Sequence, residues 1–511
     1  MLLLTAVLHL STIRSGHDWG GDFAHYLRHA ENIVDGRAYG ETGYVRTPLM
    51  SYVSTSSYPP GFPLLLAPVR LVAGRSMLPF KVEGVLFLVG ALALLRVWAR
   101  GKIGDGAAFL LLFLFGWSAA VIEESDRILS DVPFLFFLLL SLIVIERAWR
   151  RGRIDPGGAA LVAALVLFTT LIRPVGALLL VPFLGEGLRR GGLRSVAPWA
   201  AAAAIAAGVV VFRVLMPDLA YGGLFAGASP GTVWKNLRYY RLLTERFLPP
   251  FPLLPGARYP LFLILSTFAL AGMVRSIRRG LWPLFLFVLA QVAVLIVFPF
   301  QQGHRYLFPV YPFLLYWMLL GAGWIGGLFS GGGRRVAAAA GAAFLVLWTG
   351  YGVASSGLTT RGRPDGPESP AAAAFLDYVE NLSPEEALFS FWKPRVLAYY
   401  TGRSAVALPI LDELEEMAAW FRKWGVTHVA FDRKRRWGRV LLEDVAADKR
   451  RFRPLYDDGR FLVFEIRRSG PGGEGEAGSR KTPPAAAREK GGKDRSGSDT
   501  LRRNRAPEED P

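Results

Sequence analysis

Apolar runs of about 17–25 residues, the length a helix needs to cross a hydrocarbon core of roughly 30 Å, recur along most of this chain. After a first apolar stretch, Met1–Ile13, they fall at Met77–Trp98, Ala107–Ile122, Leu129–Ile145, Ala159–Ile172, Val175–Leu188, Val196–Leu215, Tyr259–Val274, Leu281–Phe300, Tyr306–Leu328 and Val336–Ala354. Backbone groups in lipid must bond within their own segment, so the pattern predicts about eleven spanning helices. Several are short, and the two that flank Arg173-Pro174 could be one broken helix. The apolar Tyr58–Gly74 segment is brief and broken by prolines, so it is expected to lie along the membrane interface rather than to cross. From about Thr359 the pattern changes. AAAAFLDYVENL and ILDELEEMAAWFRKWG have helical apolar spacing, whereas ALFSFW, VTHVAFD and RFLVFEI read as strands. The chain thus divides into a membrane domain, residues 1–358 with an outer loop at 14–76, a small soluble α/β domain, 359–468, and a tail, 469–511. The tail is rich in Gly, Pro and charge and is expected to be disordered.

Composition agrees with a membrane location. Of 511 residues 52% are hydrophobic, and the mean hydropathy is +0.31, more than a soluble domain of this length needs. The absence of cysteine excludes disulfides, thiolate nucleophiles and Cys-ligated zinc or iron–sulfur sites. The net charge of +18 comes mainly from short Arg clusters between apolar runs. That pattern speaks for topology and not for a nucleic-acid partner. Met1–Ile13 has neither a basic flank nor a cleavage site and makes a poor signal peptide; it is expected to be a shortened first helix whose true start could lie upstream.

Alternate loops carry Arg96, Arg100 and Lys102; Arg147, Arg150, Arg151 and Arg153; Arg189, Arg190 and Arg194; Arg275, Arg278 and Arg279; and Arg334 and Arg335. The positive-inside rule places these loops in the cytoplasm. Opposite them, on the extracytoplasmic face of a plasma or inner membrane, fall the long loop from Arg14 to Ser57, the acidic turn Glu123–Asp131, Arg173, the loop Pro217–Arg258 and the step His304-Arg305-Tyr306. Asp22 is the first candidate for chemistry, at the start of a short helix expected over Phe23–Val34, where it could equally be the helix N-cap. Asp22, His25, Tyr26 and His29 share one face of that helix, with His17 nearby, so a divalent metal could be held there; it is not expected, and no other cofactor is. Arg173 and Arg305, at membrane depth, are either cationic groups for an anionic substrate or arginines snorkelling at the interface. Asp131 either positions an Arg or acceptor or caps the helix from Val132; Tyr58 and its prolines shape an entrance or merely a turn.

The segments GGDFAHYLRHAENIVDGRAY, YPPGFPLLLAP, LSDVPFLFFLLL, TTLIRPVGALLLVP and HRYLFPVYPFLL, in this order and followed by LAYYTGR and GVTHVAFD, resemble the GT-C superfamily of membrane glycosyltransferases. The likeness is to the protein mannosyltransferase and aminoarabinose transferase type. The resemblance implies an all-α polytopic membrane domain with a small C-terminal periplasmic α/β domain. It implies transfer of a sugar, with inversion, from a polyprenyl-phosphate donor to a glycan, lipid or protein acceptor outside the cytoplasm. It makes Asp22 the catalytic base and Asp131 a second acidic position; a lipid phosphate then needs cationic partners, for which Arg173, Arg305 and His304 are the candidates, and Tyr58, Asp131, Tyr306 and His25 are expected to position substrate. One departure stands out: several relatives have an Asp-Glu pair where this chain has Asp22-Phe23. A multi-spanning lipid or glycan transporter, or flippase, is the alternative, and a non-catalytic envelope assembly protein a third. Against the transporter, no matching pair of broken midplane helices is evident in the sequence.

Overall fold

The structure, a computed structural model, describes residues 1–50, 53–56, 58–215, 229–246, 258–301, 303–327, eight positions between 341 and 354, 365–411 and 413–467. Most of the expected span Val336–Ala354, the cluster Arg334-Arg335, parts of the loop Pro217–Arg258 and the tail from Ser469 lie outside the described residues. Residues Met1–Arg467 form one compact unit.

The first apolar stretch is α1 (Leu2–Thr12). The outer loop then carries α2 (Gly21–Asp35) and α3 (Gly61–Ala73) before the long α4 (Met77–Ile103). With 13 residues, α3 spans only about 20 Å, too little to cross, and it packs on α2 and on α8 (Pro156–Ile172). The expected span Ala107–Ile122 is instead two helices, α5 (Asp105–Gly116) and α6 (Ala119–Ser125), bent by 60°. Ser118 caps α6 by accepting from Val121 N–H, which ends one helix and starts the next. α7 (Asp131–Ala148) packs between α4 and α8. At Arg173 the backbone turns extended (φ −146°, ψ 131°), separating α8 from a 3₁₀ turn, Pro174–Leu179, and α9 (Leu180–Arg189). The helices α10 (Val196–Leu215), α11 (Pro230–Arg246), α12 (Arg258–Arg278), α13 (Trp282–Val297) and α14 (Tyr311–Gly326) follow.

Among the described residues α4 and α12 are each long and apolar enough to cross a membrane, and α5 with α6 make a third if counted as one bent span; α1, α3, α8, α10 and α13 are shorter apolar helices. The tightest packing joins α12 and α14. A Cβ on Gly272 would lie 1.8 Å from the Trp317 carbonyl oxygen, and one on Gly321 would lie 1.9 Å from that of Phe268. These two glycines let the backbones touch, the usual device where lipid removes the hydrophobic incentive to associate.

The soluble domain opens with α15 (Pro370–Leu382) and contains a five-stranded sheet of order β2-β1-β3-β5-β4. Its strands are β1 (Leu388–Phe391), β2 (Ser404–Ala407), β3 (His428–Asp432), β4 (Phe452–Asp457) and β5 (Phe461–Ile466). β1 runs parallel to both β2 and β3, with α16 (Pro394–Thr401) and α17 (Leu414–Trp424) as crossovers and α18 (Arg436–Ala447) after β3. The expected strands are β1, β3 and β5 and the expected helices α15 and α17; β2 and β4 are additions. The outer loop covers the free edge of β2. Val45 N–H donates to the Ala405 carbonyl at 2.8 Å, and Ala405 N–H to that of Gly43 at 2.9 Å. An exposed edge is thereby paired, and the sheet is fixed over α2.

Candidate functional site

The loop that holds the site is anchored by a buried ion cluster. Lys81 of α4 donates to Asp126 at 2.7 Å and to the Arg14 carbonyl at 3.0 Å, and Arg14 Nε reaches Asp126 at 2.5 Å. From there α2 forms because Phe23, Ala24, Leu27 and Ala30 present one fully buried stripe. Gly36 closes it in the left-handed conformation (φ 65°), its N–H bonding the Asn32 carbonyl.

Asp22 is not the N-cap of this helix. Gly20 takes that place without any side-chain bond, and the Asp22 carboxylate turns away from the helix amides. Its Oδ2 accepts from Arg305 Nη1 at 2.7 Å, and its Oδ1 accepts from the Tyr58 hydroxyl at 2.6 Å and from Arg395 Nη1 at 3.1 Å. Arg395 also donates to the Tyr58 hydroxyl at 2.7 Å. Asp131 does not cap either: α7 starts at Asp131 itself, after Ser130. The Asp131 carboxylate accepts from Arg305 Nε at 3.3 Å and, on its other oxygen, from Arg173. Arg305 therefore bridges two carboxylates, one from the outer loop and one from the head of α7. Arg173 is aimed inward by the break between α8 and Pro174 and lies 5.4 Å from the centre of the Tyr306 ring. His304 is half-buried on the same 3₁₀ turn as Arg305 and Tyr306. So Asp22, Tyr58, Asp131, Arg173, Arg305 and Tyr306 come together. Neither arginine snorkels; both are ion-paired.

Exposure separates the two carboxylates. The Asp22 side chain is 23% exposed and that of Asp131 1%, so Asp22 is the one a bound molecule can reach. Three guanidinium groups on two carboxylates leave one positive charge in excess. Burial pushes the Asp22 carboxyl upward, but Arg305, then Arg395 and the Tyr58 hydroxyl outweigh it and hold it well below the usual carboxylate range. Burial, together with the Asp22 charge, drives the Tyr58 phenol well above its ordinary value, so it stays a donor.

His25 lies one turn further, 1% exposed, with no hydrogen-bond partner on either ring nitrogen and its ring 5.8 Å from that of Tyr58. Burial, and Arg395 after it, push its pKa well below the ordinary value, so it is neutral. The other groups of the metal stripe are engaged. His29 Nδ1 meets the Tyr39 carbonyl at 2.8 Å, and His17 Nε2 accepts from Ile128 N–H at 3.2 Å. Among the described residues no three His, Asp or Glu side chains are grouped to hold a metal ion.

Arg395 is the group that sequence reasoning missed. It belongs to the soluble domain, in the FWKPR segment that leaves β1 and begins α16. A Cβ on Gly21 would lie 2.5 Å from its Nη2, so the guanidinium rests directly on the α2 backbone. A signal existed: ligand-contacting groups gather at the carboxyl ends of parallel strands where the strand order reverses, and Arg395 follows β1 at that point.

No family model matches the chain, and no curated protein matches it in sequence. Solved structures do match it in fold. ArnT from Cupriavidus metallidurans bound to undecaprenyl phosphate is 14% identical, with 92% of this chain and 98% of that one covered and a TM-score of 0.56. The archaeal oligosaccharyltransferase AglB from Archaeoglobus fulgidus, in complex with an inhibitory peptide and a dolichol-phosphate, is 14% identical, covering 84% of this chain and 69% of that one at a TM-score of 0.52. An Archaeoglobus fulgidus oligosaccharyltransferase in complex with Zn and sulfate is 13% identical, covering 91% and 72% at a TM-score of 0.56. The expectation drawn from the sequence segments thus holds for the fold, which the chain shares with these solved structures.

Proposed function

We propose that the chain is an inverting glycosyltransferase that moves one sugar from a polyprenyl-phosphate donor to an acceptor on the outer face of the cytoplasmic membrane. The observation that carries this reading is a single part-exposed carboxylate, Asp22, set in a cluster with one positive charge in excess. A sugar phosphodiester brings one negative charge, which balances that excess. Support for the lipid carrier comes from the fold neighbours solved with undecaprenyl phosphate and dolichol-phosphate. The Arg-rich loops opposite the site support the outward orientation.

In the reaction the acceptor hydroxyl oxygen attacks the anomeric carbon from the side opposite the phosphate. The carbon–oxygen bond to phosphate breaks with its electron pair on the phosphate oxygen, and the acceptor proton passes to Asp22. One carboxylate suffices, because the leaving phosphate needs no acid; general base help of this kind is worth about 10²–10⁴ in rate. A carboxylate clasped by two arginines is a weak base. Donor phosphate competing for Arg305 and Arg395 loosens that clasp and raises the basicity of Asp22 when substrate is present. The same guanidinium groups then stabilise the charge that develops on the leaving phosphate.

The test is to incubate the purified chain in lipid with polyprenyl-phosphate sugars and a panel of hydroxyl acceptors, reading product by mass spectrometry and its anomeric configuration by NMR. Inverted product supports the reading, and retained configuration contradicts it. The helix breaks at Ser118 and Arg173 are the kind of feature a transporter uses. Movement of labelled lipid between leaflets without any sugar transfer would select that alternative.

A further inference from the structure

A second cationic cluster lies on the same helix as Asp22, away from it and outside the chemistry above. Glu31, nine residues along α2, has a side chain 1% exposed and is ringed by three arginines. Its Oε1 accepts from Arg70 Nη2 at 2.6 Å and from Arg75 Nε at 2.8 Å, and its Oε2 from Arg28 Nη1 at 2.8 Å. Arg28 turns its other terminal nitrogen to the carbonyls of Ala398 (2.9 Å) and Tyr399 (3.2 Å) on α16. Burial pushes the Glu31 carboxyl upward, but the bonds from Arg75 and Arg70 and the charge of Arg28 outweigh it, so it stays ionised. Three positive charges on one negative leave two in excess, and they are not enclosed. The Arg75 side chain is 45% exposed and that of Arg70 20%.

Position says what meets those charges. Arg75 stands two residues before Met77, where α4, one of the helices long and apolar enough to cross, begins. That is the level of lipid headgroups. Arg70 lies in the last turn of α3, whose Leu64, Leu71 and Val72 are exposed, as is Leu78 in the first turn of α4. Exposed aliphatic side chains beside outward-facing guanidinium groups fit a molecule with a phosphate at one end and acyl chains at the other. The Arg fork matches phosphate oxygens in pairs. Glu31 sets the direction of all three arginines and is itself out of reach.

We propose that Arg70 and Arg75, oriented by Glu31, form a binding site for the phosphate of an anionic membrane phospholipid at the junction of α3, α4 and α16. A lipid seated there fixes α3 in the interface and, because Arg28 and the Tyr399 ring (5.4 Å from Arg75) belong to the same cluster, braces the soluble domain against the membrane. The inference does not rest on the transferase reading, and its test reads no transfer.

The full chain is reconstituted in nanodiscs of phosphatidylcholine mixed with phosphatidylglycerol, and co-purifying lipid is counted by native mass spectrometry. Wild type is expected to retain phosphatidylglycerol over phosphatidylcholine, and R70Q/R75Q to lose that preference by about 25-fold, from roughly fivefold per basic residue near an anionic headgroup. E31Q removes the competing negative charge and is expected to raise the preference, a gain that damage to the fold does not produce. Unchanged preference in R70Q/R75Q overturns the proposal, as does a loss in E31Q equal to that in R70Q/R75Q. Inorganic phosphate is the further arm: if it displaces the retained phosphatidylglycerol completely at physiological concentration, the site is one for free phosphate and the lipid assignment falls.

Discussion

Asp22 and Glu31 sit on one helix, each clasped by arginines, yet the two places do different things. Glu31 is enclosed, at 1% exposure, so only its arginines face outward. Asp22 is 23% exposed and shares its oxygens with a hydroxyl, Tyr58, so the carboxylate itself can be reached. The same pairing chemistry thus makes a scaffold in one place and a reactive group in the other. What differs is which partner is left open.

Replacement of the two carboxylates breaks the comparison most directly. Asp22→Asn is expected to lower transfer by about 10²–10⁴, whereas Glu31→Gln leaves the rate per folded molecule within a few-fold; equal losses in both would contradict the distinction. Arg305→Gln removes the guanidinium that bridges Asp22 and Asp131 and leaves Asp131, at 1% exposure, to its pair with Arg173. Thermal denaturation is expected to show a loss of about 3 kcal/mol, as when a buried pair is broken.

Arg395→Gln acts through pH. Asp22 works as its carboxylate, so kcat/KM falls as pH drops through its pKa; without Arg395 that acid limb moves to higher pH. For stability the sign is the same: the depressed carboxyl contributes fully above its unfolded value of about 4 and loses that contribution as pH falls below it. A pH–rate profile of R395Q that overlays the wild type would remove Arg395 from the site. The smallest effect is expected from Gly21→Ala, whose Cβ must displace the Arg395 guanidinium. It should shift the acid limb in the same direction as R395Q, by less.

Much of the site could be read in the sequence, for definite reasons. Asp131, Arg173 and Arg305 are charged residues next to apolar runs, where charge is costly and stands out, whereas Asp22, within the polar outer loop, was marked by its helix start and by the resembling segment GGDFAHYLRHAENIVDGRAY. The positive-inside pattern put all four on one face. What could not be read was how they pair, since N-cap and ion pair ask for the same residue type at the same helix end. Helix starts at Gly21 and Asp131, rather than at Phe23 and Val132, decide that question. Arg395 was hidden for another reason: it lies 373 residues from Asp22, in a domain whose composition marks it as soluble and separate. The bend at Ser118 was likewise invisible in an apolar run whose hydropathy does not change across it.

The central claim is that Asp22 takes the acceptor proton while arginines hold the donor phosphate. Single-turnover transfer from a bound polyprenyl-phosphate sugar, measured side by side with donor affinity for wild type and D22N, tests it most directly. The account predicts that D22N binds donor at least as tightly as wild type, having lost the carboxylate that competes for Arg305 and Arg395, and transfers it at least about a hundredfold more slowly. Transfer by D22N at the wild-type rate would contradict it.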